Sequence, residues 1–292
     1  MVEKKNAKIM LSLSMVIFGT IGAFTRNIAV SSGELALYRA VLASFLLIGY
    51  LLFTKQKIDF KAIRKELLLL IFSGMAMGIN WILLFEAYKY TTISAATLSY
   101  YFAPVLVTIA CPLLFKERLT RKQKLCFAMS TIGLVLIIGF EKNSSKTNHV
   151  LGILLGLGAA IFYAIVILLN KFIKNVEGIQ RTFLQFLAAI VILFPYVVFS
   201  GGMRLEVLSA KGWIYLLIVG FLHTGITYCM YFSAIKELKG QEVAILSYLD
   251  PVVAVVISIV ILGEKMSLLQ LFGGILILGF TLWNEIEEKL DK

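Results

Sequence analysis

Long apolar runs alternate with short polar connections along the whole chain. Ten runs, at residues 8–25, 33–53, 66–88, 93–115, 122–140, 150–170, 180–200, 212–235, 241–262 and 267–284, have the length of a membrane-crossing helix. A helix rises 1.5 Å per residue and the hydrocarbon layer is about 30 Å thick, so roughly 20 residues suffice. The longest polar gap, Glu141 to His149, holds nine residues. That leaves no room for a soluble domain, and function is expected within or between the helices. The opening MVEKKNAKIM and the apolar run behind it resemble a signal peptide. The run is long and lacks a small-x-small cleavage site, so it reads as a retained first helix.

Composition serves chiefly to exclude classes. With 60% apolar and 15% charged residues the chain is an all-α polytopic membrane protein. Its net charge of +11 would suggest nucleic acid in a soluble protein, but the positive charges lie on alternate connections. Of the 28 lysines and arginines, 20 flank one side, seven the other, and Arg39 lies inside the second span. The positive-inside bias therefore places both termini in the cytoplasm and predicts no nucleic-acid partner. Cys111, Cys126 and Cys229 all fall in apolar spans without paired spacing and read as packing residues. The two histidines, His149 and His223, stand far apart, and neither HExxH nor GxxxxGK[ST] occurs. No metal site, no cofactor, no ATP-driven step and no enzyme are expected.

Shifting the chain by 147 residues aligns FEAYKYTTISAATLSYYFAPV with FSAIKELKGQEVAILSYLDPV without a gap. Continued to Gln123 and Gln270, the alignment gives eight identities in 39 positions, among them Tyr101 with Tyr248, Pro104 with Pro251 and Glu117 with Glu264. The chain divides into residues 1–145 and 146–292. Five crossings in each half is an odd number, so the second half enters the membrane inverted. Inverted repeats of this kind are a common architecture of secondary transporters, with a central site near the bilayer midplane.

The repeated pattern reads EAYKYTTISAATLSYYFAP and FKERLTRKQ in the first half, SAIKELKGQEVAILSYLDP and LGEKMSLLQLFGG in the second. It resembles the EamA-type transporters of the drug/metabolite transporter superfamily over essentially the whole chain. The first half departs from the pattern at Lys116, Cys126 and Phe127, where the second has Gly263, Gly273 and Gly274. The resemblance implies ten transmembrane helices, cytoplasmic termini and transport of small metabolites without ATP. It does not fix the substrate.

Asp250 is the candidate that chemistry singles out. It lies about nine residues into the ninth span, where a carboxylate costs roughly 2.5 to 3.5 kcal/mol on insertion scales. Pro251 removes a backbone donor, releases the Ser247 carbonyl and favours a kink. Ser247, Asp250, Ala254 and Ser258 form a small polar stripe, and Asp250 is expected to bind a proton, a coupling cation or a cationic substrate. The alternative is a protonated carboxyl that only ties helices together. Its repeat mate is Ala103, whereas Tyr248 and Pro251 are mirrored by Tyr101 and Pro104. Tyr101 shares a face with Thr97, Pro104 and Thr108, while Tyr100 points elsewhere.

Asn80 and Trp81 sit inside the third span, with Gly74 and Gly78 permitting close helix approach. Asn80 reads equally as a site wall or as interhelical glue. His223 shares a helical stripe with Gly220, Thr227 and Tyr231, and reads as a titrating site group or as a packed hydrogen bonder. Arg39 and Glu86 are within reach of one another as a pair that gates the outer mouth or binds a carboxylate, or as a structural ion pair. Glu117 and Glu264 read as turn residues. The expectation is a metabolite carrier of the bacterial cytoplasmic membrane, monomer or homodimer in the lipid bilayer, with a cavity lined by the first, third, fourth, eighth and ninth helices. Its partners are a small-molecule substrate and a coupling proton or cation. A flippase for a lipid-linked intermediate and a non-transporting membrane subunit are the other classes left open.

Overall fold

The computed structural model describes residues 2–55, 60–115, 120–138, 148–176, 178–238 and 240–286. Glu117, the boundary between the two halves and most of the Glu141–His149 gap lie outside the described residues. Every described element is helical. They are α1 (Val2–Thr25), α2 (Ser32–Phe53), α3 (Phe60–Tyr90), α4 (Ile93–Tyr100), α5 (Ala103–Phe115), α6 (Arg121–Ile138), α7 (His149–Phe172) and α8 (Gly178–Phe199). After a single 3-10 turn follow α9 (Ala210–Leu217), a π-helical stretch Ile218–Ile226, α10 (Thr227–Ile235), α11 (Gly240–Ser247), α12 (Leu249–Val260) and α13 (Leu268–Glu285). Seven of the helical stretches are long and apolar enough to cross a membrane, and residues 249–260 and 268–284 form shorter apolar helices.

The helices start where the sequence offers caps. Ser31 and Glu34 form a reciprocal capping box ahead of α2, and Ser267 and Gln270 repeat it ahead of α13; each satisfies two backbone N–H groups that the first turn would otherwise leave bare. The fourth and ninth apolar spans are each split in two. α4 ends at Tyr100 and α5 begins at Ala103, while α11 ends at Ser247 and α12 begins at Leu249. Pro104 and Pro251 stand in the first turn of the second segment, where a missing N–H costs nothing, so the chain restarts a helix there instead of bending one.

Helix packing fixes which ends meet. Gly74 of α3 lies against α8, where an added Cβ would come within 2.3 Å of the Gln185 carbonyl oxygen. Gly78, one turn further along α3, meets Leu193, about two turns further along α8, so the two helices run parallel. α7 runs antiparallel to α3: Thr91 meets Gly152, and Asn80 Nδ2 donates to the Ala159 carbonyl at 2.6 Å. α1 runs parallel to α12, with Gly19 pressed onto the Asp250 carbonyl and Val253. The bundle therefore has two faces. The terminal face carries the start of α1, where Lys4 and Lys8 pair with Glu242, and the turn after α7, where Glu66 accepts from the backbone N–H groups of Lys174 and Asn175. The opposite face carries Arg26, His149 and Glu264.

The main core joins α2, α3, α7, α8 and the α9–α10 region through Leu47, Trp81, Phe186, Leu193 and Leu216. Many apolar side chains on the outside, such as Phe45, Leu68 and Val191, are exposed to the surroundings, as expected of helices that face lipid. Cys126 and Cys229 are buried free thiols.

Candidate functional site

A cavity of about 570 Å³ lies between the helices. Its walls come from α1, α2, α3, the α4–α5 and α11–α12 breaks, α7, α8 and α10, a wider set than the five helices expected from sequence. Toward the terminal face the lining reaches Asn170, Arg181 and Val243, each within about one turn of a helix end. Toward the opposite face it stops at Tyr88 and Thr97.

The two helix breaks meet at the cavity. The Tyr101 hydroxyl donates to Asp250 Oδ2 at 2.5 Å. One partner stands directly after α4 and the other in the first turn of α12, where the unpaired N–H groups of a helix start favour negative charge. Tyr248, Ser247 and Pro104 also line the cavity, and the Ser247 hydroxyl donates back to the Val243 carbonyl. Of the predicted stripe, Ser247, Asp250 and Ala254 face the cavity while Ser258 does not.

Tyr100 is a correction to the sequence reading. It lines the cavity beside Tyr101 and stacks on Tyr163, with ring centroids 5.2 Å apart. Both rings face inward although the Tyr101 backbone N–H still donates to the Thr97 carbonyl four residues back, so the cavity takes in two consecutive positions of one helical turn. Tyr163, Tyr228 and Tyr231 complete an aromatic wall that single-residue reasoning passed over; their only signal was three more tyrosines deep in apolar spans.

Of its two readings, His223 sits as the packed hydrogen bonder. It is buried behind the cavity and absent from its lining, with Nε2 2.8 Å from the Thr20 hydroxyl and its ring against Phe24. The reason is the π-helical stretch, which adds a residue to each turn and rotates the expected stripe. The Thr224 and Thr227 hydroxyls donate to carbonyls five residues back, those of Val219 and Leu222. Gly220 and Gly225 let this widened stretch lie on Leu42 and Leu46 of α2.

The Arg39–Glu86 pair does not form. Arg39 is 5% exposed and lines the cavity, its Nε donating to Thr224 Oγ1 at 3.2 Å and its guanidinium lying 4.4 Å from the centre of the Trp81 ring. Glu86 instead accepts from Ser32 at 2.5 Å and pairs with Lys89 at 3.0 Å. One and a half turns of α3 separate Trp81 from Glu86, which leaves the two charges on different levels. Asn80 and Trp81 both line the cavity, and Asn80 is at the same time tied to α7.

The opposite face is closed by a network that sequence reasoning left as turn chemistry. Glu264 pairs with Arg26, accepts the Ile93 backbone N–H at 2.8 Å, and accepts the Ser258 hydroxyl, which in turn receives the Ser94 hydroxyl at 2.6 Å. Thr91 and His149 Nδ1 are 2.6 Å apart nearby. A second cavity of about 460 Å³ lies outside this level, bounded by Arg26, Ser32, Phe85 and Lys89. Tyr88 is on the wall of both cavities and is bonded to Thr97 at 3.4 Å. Among the described residues no cluster of three His, Cys, Asp or Glu side chains suited to a metal occurs.

The EamA-like transporter family model matches residues 6–139 and again 150–284. Among relatives, "Uncharacterized transporter YxxF" of Bacillus subtilis (strain 168) is 32% identical over 276 residues, covering 94% of this chain and 88% of its own. An "Uncharacterized transporter" of Archaeoglobus fulgidus is 26% identical over 276 residues, covering 94% of each chain. One solved crystal structure covers 94% of this chain with a TM-score of 0.66 at 17% identity, a likeness of fold alone. Two family matches and a core of apolar helices leave one assignment: the chain is an integral membrane protein that belongs to the EamA-like transporter family.

Proposed function

We propose that the protein is a secondary carrier of small solutes in the bacterial cytoplasmic membrane, working by alternating access with its two five-helix halves inverted. In this reading ten helices cross the bilayer and both termini are cytoplasmic, supported by the charge bias of the connections and by the matching breaks after Tyr100 and Ser247. The terminal face is then the cytoplasmic one, and the conformation is open inward and sealed outward. The observation that carries the reading is the central cavity itself. It reaches Asn170 and Arg181 on one side, holds Asp250 and Tyr101 where two broken helices meet, and is shut on the other side by Glu264 and Tyr88. Broken helices that place half-helix ends at the midplane suit binding of a charged solute or coupling ion.

Asp250 is the coupling residue in this scheme. It takes up and releases a proton or cation, with Tyr101 holding the carboxylate between turnovers. Asp250→Asn in proteoliposomes is expected to fold and insert, since the Tyr101 hydroxyl still finds a carbonyl oxygen, but to lose the dependence of solute flux on a pH or cation gradient. An unchanged gradient dependence overturns the coupling role. Flux of lipid-linked molecules alone, with no soluble solute moved, overturns the carrier reading in favour of a flippase.

A further inference from the structure

Arg39 is the most demanding group in the cavity. A guanidinium so deep in an apolar span costs several kcal/mol unless charge or hydrogen bonds offset it. Thr224 takes the Nε–H, and Trp81 and Phe85 receive the guanidinium face at 4.4 and 5.3 Å. The two terminal nitrogens have no acceptor among the described residues, and no carboxylate there lies within ion-pairing distance. Of the other charged residues on the cavity wall, Arg181 stands toward the terminal face, and Asp250, the one carboxylate in the lining, is taken by Tyr101 and makes no pair with Arg39. A planar fork with its paired donors free, fixed by an aromatic face and one hydroxyl, has the geometry that binds a carboxylate through two parallel hydrogen bonds. Tyr88, Tyr100, Tyr163 and Tyr228 line the same cavity, whose roughly 570 Å³ falls in the range of small-ligand sites.

We infer that the solute carries a carboxylate gripped by Arg39, on an aromatic or other planar body that packs against this tyrosine wall. The inference rests on the carrier reading above. The carboxylate neutralises a buried charge that the fold leaves uncompensated, and the flat body replaces water against the rings. Asp250 lies on the same cavity as a distinct anionic position, so an ammonium group on the same solute is accommodated without competing for Arg39.

The test compares acids with their own amides, which keep shape and lose charge. The purified full-length protein in nanodiscs is titrated calorimetrically with 3-phenylpropanoate and 3-phenylpropanamide, and with L-phenylalanine and L-phenylalaninamide. In at least one pair the acid is expected to bind about ten- to a hundredfold more tightly than its amide, the range of a charge-assisted contact. Arg39→Gln is expected to abolish that preference, and Arg39→Lys to keep part of it, because the charge remains and the fork does not. Equal binding of acid and amide in both pairs, no acid binding, or a preference that survives in Arg39→Gln overturns the inference. If Arg39→Gln does not fold, the wild-type comparison and Arg39→Lys still decide. Flux of neutral or cationic solutes with carboxylates excluded refutes the carboxylate alone, whereas no flux of any solute refutes the carrier reading beneath it.

Discussion

Replacing Glu264 with glutamine removes one charge and almost no volume from the seal on the opposite face. Glu264 is 7% exposed and its partner Arg26 27% exposed, so the pair is more than a surface contact but not fully dry. Removing one partner of a buried pair costs about 3–5 kcal/mol. Glutamine retains an acceptor for the Ile93 N–H, and Arg26 reaches water, which reduces the loss to about 2–3 kcal/mol. The contacts join Arg26, just beyond α1, to the start of α4 and the end of α12, three segments that separate when this face opens in the alternating-access scheme proposed above. Nearly the whole loss therefore falls on the closed state, and the open population is expected to rise about 30- to 150-fold. A cysteine placed at Thr97, which is 4% exposed on the inner side of the seal, reports this in a cysteine-free background. A membrane-impermeant maleimide added from that face should label it faster in Glu264→Gln by that factor, while a cysteine at exposed Ser200 labels at one rate in both. An unchanged rate at Thr97 would show that the network does not hold the face shut.

Two further outcomes follow from packing. Gly74→Leu drives a side chain into the Gln185 carbonyl and Ala188 of α8, with the first atom already at 2.3 Å; thermal unfolding in detergent should show a loss of about 1–3 kcal/mol, and an unaltered midpoint would mean that α3 and α8 are not in contact there. Asn80→Ala deletes the 2.6 Å bond to the Ala159 carbonyl and should cost only about 0.6 to 1.7 kcal/mol, since a chain unfolded within the membrane finds other partners; a melting shift outside that range, measured together with solute binding, would separate a structural from a ligand-contacting Asn80.

The apolar runs, the 147-residue echo and the anomalous Asp250 were legible in the amino-acid order, because each depends on properties local to a span: its length, its hydropathy, or one costly charge. Pro104 and Pro251 marked where helices restart for the same reason, since a proline acts on its own turn. Three features were not legible. The π-helical stretch that hides His223 depends on Gly220 and Gly225 meeting Leu42 and Leu46 from another helix. Tyr100 lines the cavity stacked on Tyr163 of α7, a partner that no period along α4 reveals. The pairing of Glu264 with Arg26, and of Arg39 with Trp81 in place of Glu86, joins residues between 42 and 238 positions apart. Transfer free energies, taken residue by residue along the chain, were enough to mark a helical membrane protein and to single out Asp250 as the costly charge. Which charges share a cavity, and where its lining stops, came with the folded arrangement, because an ion pair exists only when two distant helices bring both partners within a few ångströms.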